Sequence, residues 1–376
     1  MTDTHGRTRA LDALLAQTGV RHPAADGISD QIGELYIMVT WGCNLRCRMC
    51  PFWGEHGVCT QGAAVAETLT SGQVLDVIRG AQAFHPRTVT ISGGEPLLSA
   101  ECLPLAREIA ARGHRVMLTT NATLLHTVAA DDLAAFHQIN ISLDGPPLVL
   151  ERLKRGGDDT LDKALVGLRN VLSIAREQRP ALQLLTVITD EGAAHLVELL
   201  RLFEREGVSF DRLLFQHQMF LSKESARRQH ATLEHLVGPG VPIWDGFVSA
   251  AGNMDVSRLL AELADIRAGY PQAVVSPDLT DDETRRYYAD GAWLPSRYTA
   301  TCASPWQDVS LAPNGDIWLC PGFAIGNVNE QGFAEIWNGP RARALRQAIA
   351  SGGTFEGCRA CFYLYNYRDP APEGHP

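Results

Sequence analysis

Residues 87–121 read RTVTISGGEPLLSAECLPLAREIAARGHRVMLTTN. Positions 88–92 form a short β-rich run, 101–112 carry apolar residues at helical spacing, and 115–120 form a second β-rich run. Such a strand–helix–strand unit predicts two parallel strands joined by a right-handed crossover. The same alternation extends in both directions. Further strands are predicted over 35–40, 139–143, 182–189 and 213–219, and further helices over 71–83, 130–136, 161–178 and 195–206. Six strands suffice for a barrel or part of one, although a doubly wound sheet would carry the same periodicity.

Most of these strands run into a polar or glycine-rich turn: WGCN, SGGEP, TTNAT, SLDGP and Gln216-His217. A barrel-like parallel sheet gathers its active site at the C-terminal ends of its strands, which makes these turns the functional candidates. After residue 222 the alternation gives way to glycine, proline and aromatics, as in GPGVPIWDGF and YYADGAWLPSRY. The predicted organisation is an N-terminal extension over 1–33, an α/β core over 34–222 and an insertion over 223–300 that covers the barrel mouth. A compact unit over 301–367 and a tail over 368–376 follow. That unit should hold a strand pair around the Asn314-Gly315 turn and a helix over 340–350.

The chain has 376 residues, 45% hydrophobic and 20% charged, which excludes a disordered or collagen-like polypeptide and leaves ample apolar surface for a core. Its 33 Lys and Arg against 43 Asp and Glu give a net charge of −10, with no basic patch to bind nucleic acid. The first 20 residues lack the apolar centre of a signal peptide, and no stretch is apolar for the ~18 residues of a membrane span. The expectation is a soluble cytoplasmic protein.

Nine cysteines are an odd count and too dilute for a disulfide scaffold. Most fall in two distant groups, which in a reducing compartment reads as metal binding. Cys43, Cys47 and Cys50 lie in WGCNLRCRMCPFWG just after the first strand. A four-iron cluster takes four cysteines, so three thiolates leave one iron free for an exogenous ligand. A zinc site would want a fourth ligand, which Cys59 and His56 could supply, but the parallel α/β setting is unlike a zinc-stapled unit.

The C-x3-C-x2-C spacing after the first strand resembles the radical S-adenosylmethionine (SAM) superfamily. The resemblance implies a partial (β/α)6 barrel like part of a TIM barrel. It also implies a [4Fe–4S] cluster on Cys43, Cys47 and Cys50, with SAM on the free iron and a 5′-deoxyadenosyl radical formed on reduction by a flavodoxin- or ferredoxin-type donor. That family commonly has an aromatic residue before the third cysteine; here it is Met49, and Phe52 and Trp53 are the candidates for stacking on adenine. Gly93-Gly94-Glu95-Pro96 matches the family's GGEP motif, with glycines that admit close backbone approach and a carboxylate suited to an ammonium. Asn121, Ser142 and Asp144 resemble positions that contact the ribose and methionyl parts of SAM, and Arg155, or less so Arg152, could pair with its carboxylate.

Near the C-terminus Cys302 and Cys320 precede a CxxC at Cys358 and Cys361. With Gly315–Cys320, Gly326-Asn327 and Glu335–Asn338, they resemble the SPASM/Twitch extension of radical SAM enzymes. Four cysteines match its shorter arrangement, implying one auxiliary [4Fe–4S] cluster with no open iron; the competing reading is a Cys₄ zinc ribbon.

A closed auxiliary cluster can accept a second electron. The pattern resembles Twitch-containing dehydrogenases of sugar and aminocyclitol antibiotics, and the resemblance implies an oxidoreductase dehydrogenating a secondary alcohol of such a small carbohydrate-like substrate. His217 is the candidate base for the hydroxyl proton. Epimerisation would need a thiol, for which Cys59 and Cys102 are left over. Peptide modification is the third reading. Enzymes of that kind often carry an N-terminal recognition domain, and 33 residues before the first strand are few for one.

Overall fold

The computed structural model describes residues 25–62, 69–153, 159–249, 253–290, 293, 295, 298 and 302–366. Seven strands run parallel in chain order: β1 (Glu34–Met38), β2 (Thr88–Ser92), β3 (Arg115–Thr120), β4 (Gln138–Ser142), β5 (Ala181–Ile188), β6 (Arg212–His217) and β7 (Ala273–Ser276). β2 and β3 have the predicted bounds, and the other predicted strands differ from theirs by one or two residues at an end. The helices between them include Ser71–Ala81, Cys102–Ala111, Thr160–Ser173 and Leu196–Arg205.

Period-two alternation decides which face of the sheet meets the helices. Leu35, Ile37, Val89, Ile91, Val116, Leu118, Ile139, Ile141, Leu182, Leu184 and Phe215 are all fully buried on one face. At about 1.5–3 kcal/mol for each fully buried aliphatic or Phe side chain, this layer supplies much of the driving force for folding. The helices answer it with Val74, Val77 and Ile78 on Ser71–Ala81, and with Leu196, Leu199, Leu200 and Phe203 on Leu196–Arg205. Thr70 and Gln73 close a capping box at the start of the first of these.

The opposite face is mixed, and its polar groups near β1–β4 satisfy one another laterally. Tyr36 Oη donates to Ser92 Oγ at 2.9 Å, Asn140 Nδ2 to Thr119 Oγ1 at 3.1 Å and Gln138 Nε2 to Asn140 Oδ1 at 2.7 Å, while Thr90 donates to Glu34. Burial keeps the Glu34 carboxyl above the usual carboxylate range despite that bond. Polar groups on the inner face suit a sheet that curls around a ligand instead of a packed core.

Two features depart from the expectation. The segment 223–300 does more than connect: it contains helices Lys223–Val237, Val256–Gly269 and Asp281–Ala289, and it supplies β7 to the sheet edge beside β6. Second, the C-terminal unit is not separate from the core sheet. β8 (Asp308–Leu311) pairs in parallel with β1, from Glu34 with Asp308 to Ile37 with Leu311. β9 (Asp316–Cys320) and β10 (Phe323–Asn327) follow antiparallel, giving one ten-stranded sheet in the order β10-β9-β8-β1-β2-β3-β4-β5-β6-β7. The order is linear and the sheet does not close, as a partial barrel requires.

The predicted turn at Asn314-Gly315 joins β8 to β9, with Gly315 at φ +92°, a conformation that glycine adopts at little cost. Helix Pro340–Gly352 follows and buries Arg346 completely. Arg346 donates to the carbonyls of Pro305 and Gly27 and to Asn338 Oδ1, and its guanidinium lies 4.2 Å from the Trp337 ring centre. This one cation ties the chain ahead of β1 to the C-terminal unit. Among the described residues no helix is long and apolar enough to cross a membrane.

Candidate active site

The turn after β1 carries Cys43, Cys47 and Cys50, all half-buried. The loop is folded by its own backbone: Cys50 N–H donates to Cys47 O at 3.0 Å, Gly54 N–H to Cys50 O at 2.8 Å and Cys59 N–H to Phe52 O at 2.9 Å. Backbone N–H groups of Leu45 and Trp53 point at the sulfurs of Cys43 and Cys50, at 3.4 and 3.5 Å, which favours thiolate.

Gly93 and Gly94 meet this loop directly. Gly94 N–H donates to Thr40 O and Glu95 N–H to Gly42 O, both at 2.8 Å. A Cβ on Gly94 would stand 2.1 Å from Gly42 O, and one on Gly93 2.4 Å from Thr40 O. The expected close approach is therefore made by the chain's own cysteine loop, which locks the β2 turn onto the β1 turn.

Glu95, the carboxylate expected to meet an ammonium, also bonds groups of the chain itself. It is fully buried, and its carboxylate accepts from Thr120 Oγ1 at 2.7 Å, Asn121 N–H at 2.9 Å and Leu97 N–H at 3.1 Å. The side chain thus organises the β3 turn from within. Asn121 is buried there, donating to Asn44 Oδ1 and accepting from Thr123, while Asn44 Nδ2 donates to Thr123 Oγ1. Asn44, between the first two cysteines, was not singled out from sequence; its only signal was its place in the motif.

Ser142 ends β4, and Asp144 behind it is fully buried, accepting from Val187 N–H of β5 at 2.8 Å. Arg155 lies outside the described residues, and Arg152 is exposed. Phe52 is half-buried with its ring centroid 5.6 Å from that of Trp41, and Arg46 lies 4.0 Å over Trp53. Trp41 in turn stands 6.0 Å from Trp318 of β9.

A cleft of about 240 Å³ opens beside this loop at the C-terminal ends of β5 and β6. Arg48 and Met49 form one wall and Met219, Phe220 and Tyr288 another. The segment around Phe247 completes it, seated so closely that a Cβ on Gly246 would meet Pro51 Cα at 2.5 Å. At the rim Arg48 bridges to Asp190 and Glu191, half-exposed pairs worth little in stability but able to fix the rim's shape.

His217 is not in the cleft wall. It is 1% exposed, with Nδ1 2.8 Å from Tyr288 Oη and its ring against Tyr287 and Tyr288. Burial, helped by the charge of Arg267, lowers its pKa to about 3. The expected base is a neutral imidazole behind Tyr288, and Tyr288 is the member of the pair that lines the cleft.

The second group of cysteines is assembled from four places in sequence. Cys302, Cys358 and Cys361 are buried and Cys320 half-buried at the end of β9. Burial first, then mutual repulsion, holds Cys302 and Cys320 well above the usual thiol range; burial pushes Cys358 up to about 11 and Cys361 up to about 12. Thiolates at such depth need bound metal to offset the cost. Phe355 N–H points at Cys358 Sγ at 3.2 Å.

The two donor sets fit two kinds of iron–sulfur site. Three thiols leave one iron of a four-iron cluster open to an exogenous ligand; four thiols, three of them buried, do not. Among the described residues no three His, Cys, Asp or Glu side chains converge on one ion, so Cys59 and His56 do not complete a single-zinc site with the first trio. A four-iron cluster asks for no such convergence, since each thiolate takes its own iron.

Comparison with known proteins agrees with this pairing of sites. Residues 37–203 match the radical SAM superfamily, and the chain is a radical SAM protein. Residues 302–362 match the SPASM iron–sulfur cluster-binding domain, which makes it a radical SAM enzyme with a C-terminal SPASM domain. SAM and [4Fe–4S] clusters are its cofactors. The pre-heme d1 synthase of Dinoroseobacter shibae is 25% identical over 80% of this chain and 72% of that protein. A probable GTP 3′,8-cyclase of Saccharolobus islandicus is 26% identical over 56% of this chain and 65% of its own length. In fold, the chain resembles Streptococcus suis SuiB bound to precursor peptide SuiA, with a TM-score of 0.57 and 16% identity over 97% of this chain and 79% of SuiB. It also resembles anSMEcpe with bound AdoMet, with a TM-score of 0.54 and 16% identity over 89% of this chain and 88% of that one.

Proposed function

We propose that the protein is an oxidoreductase that removes hydrogen from a C–H bond of a small substrate, dehydrogenating a secondary alcohol of a sugar or aminocyclitol. The observation that carries this reading is the cleft of about 240 Å³ between the cysteine loop and the ends of β5 and β6, at the strand ends where a parallel sheet of this kind receives small molecules. When bound, SAM and the reduced cluster supply a 5′-deoxyadenosyl radical able to abstract hydrogen from carbon.

The chain's own contribution is position and exclusion of water. Cys43, Cys47 and Cys50 would hold the first cluster, with Asn121 and Ser142 on the SAM side; Arg155, outside the described residues, is the candidate that the sequence offers for its carboxylate. Phe220 and Phe247 give the substrate side an apolar lining. Cys302, Cys320, Cys358 and Cys361 would hold a single auxiliary cluster, which would supply an acceptor for the second electron of a two-electron oxidation, the hydroxyl proton passing to solvent through the open cleft. A flavodoxin- or ferredoxin-type protein would be the external donor.

Epimerisation finds less support. Among the described residues the cleft wall contains no cysteine: Cys102 is buried in helix Cys102–Ala111, and Cys59, although folded into the cysteine loop, is buried and does not line the cleft.

The test is anaerobic incubation of the reconstituted enzyme with SAM, reductant and a set of aminocyclitols and sugars. One member should yield a ketone two hydrogens lighter, with 5′-deoxyadenosine formed alongside. Product with unchanged mass and solvent deuterium at carbon would replace this reading with epimerisation; turnover of peptides alone would replace it with peptide modification.

A further inference from the structure

We propose that Tyr288, carried into the cleft wall by helix Asp281–Ala289 and held from behind by His217, is the hydrogen-bond donor that grips an oxygen of the substrate. The proposal rests on the reading that this cleft receives the substrate, and it names the contact that would orient it. It also gives the segment 223–300 a part in substrate selection.

Three observations carry it. Tyr288 lines the cleft while only 6% exposed, so its ring is fixed: Phe220 stacks on it at 6.0 Å and 15°, and Tyr287 meets it edge-on at 5.1 Å. Its hydroxyl is anchored on His217 Nδ1 at 2.8 Å. The other nitrogen of that imidazole, Nε2, is buried with no hydrogen-bond partner among the described residues.

The unpartnered nitrogen decides the direction of the bond. His217 is neutral, so one ring nitrogen carries a proton and the other a lone pair. Orphaned buried N–H groups are the rarer defect, so the lone pair falls to Nε2 and the proton to Nδ1. Nδ1–H then donates to Tyr288 Oη, and the phenol keeps its own hydrogen to give away. Burial holds the Tyr288 hydroxyl well above its usual pKa, so it stays protonated. The matching substrate group is an acceptor oxygen, a carbonyl or hydroxyl, beside an apolar body that can lie along Phe220 and Met219.

Two fragments of nearly the same shape test this without knowledge of the natural substrate. Cyclohexanone presents an acceptor oxygen, and methylenecyclohexane replaces that oxygen with a CH₂ group. Binding to the full-length protein is measured by ligand-observed NMR. The unsubstituted protein should prefer the ketone by about 2- to 10-fold, the range one neutral hydrogen bond supplies. Tyr288→Phe should abolish the preference while leaving methylenecyclohexane binding unchanged, which separates loss of the donor from loss of the cleft. His217→Gln should keep hydrocarbon binding and reduce the ketone preference, as a positioning residue would. A preference that survives in Tyr288→Phe overturns the proposal, and so does its absence in the unsubstituted protein, whether or not either fragment binds. Either result is independent of which product the full reaction yields, so failure of this contact and failure of the dehydrogenase reading are distinct.

Discussion

Trp41 and Trp318 face each other with ring centroids 6.0 Å apart, one two residues before Cys43 and the other two residues before Cys320. Both are buried, at 8% and 4% exposure. The segments that carry the two cysteine sites, distant in sequence, thus meet at this aromatic contact. A Trp318→Ala substitution should cost about 3–5 kcal/mol in chemical denaturation, as large-to-small changes of buried aromatics do. In a double-mutant cycle with Trp41→Ala, a coupling of about 0.5–1.5 kcal/mol should remain for the pair itself. Strict additivity would show that the rings are neighbours without being partners.

Glu95→Ala should leave the Thr120 hydroxyl and the Asn121 N–H buried without their acceptor. The expected loss is about 1–3 kcal/mol for each group stranded. SAM affinity, measured by equilibrium dialysis, should fall with it, because Asn121 links the same turn to Asn44 in the cysteine loop. An unchanged affinity would show that the β3 turn is positioned without the carboxylate.

Gly94→Ala is expected to be more damaging than its size suggests. The added carbon would sit 2.1 Å from one carbonyl and 2.6 Å from another, both backbone, so no side chain can move aside. The β1 and β2 turns must separate, and iron retained on the first trio of cysteines should drop with them. Normal iron content in this variant would mean the cysteine loop does not need that contact.

Removal of Cys358 and Cys361 together should reduce iron from about eight per chain to about four, if both sites carry four-iron clusters. Cleavage of SAM should persist while oxidised product is lost. Full turnover by this variant would remove the second site from the reaction.

The His217 pKa of about 3 lies below its value of about 6.5 in an unfolded chain, so the unfolded state binds the extra proton first on acidification. Stability from this group is complete above pH ~6.5 and falls as the pH is lowered toward 3. His217→Gln should flatten the acid side of the stability profile measured by urea denaturation. An unaltered slope would show that other groups set it.

The parallel strands were legible because each is a run of β-formers followed by a turn and an amphipathic helix, and the pattern is local. β7 was missed because its four residues sit among glycine- and proline-rich stretches, and only the lateral bonds to β6 make them a strand. The cysteine sites were legible because thiol spacing is written in the sequence. The bonds of Glu95 to the β3 turn were not, since its partners Thr120 and Asn121 lie 25 and 26 residues later and meet it only in the fold. His217 was the candidate base because it ends β6, near the expected pocket. Its partner Tyr288 lies 71 residues later on an unrelated helix, and no periodicity connects the two.

The pairing of β1 with β8 sets an order on biogenesis. During synthesis, β1 leaves the ribosome long before residue 308, and its outer edge waits with unmet hydrogen bonds through the making of every other parallel strand. An open edge of that kind invites association with other chains, so the nascent protein needs shielding until its last quarter arrives. Truncation anywhere before β8 should therefore yield aggregates instead of a soluble core.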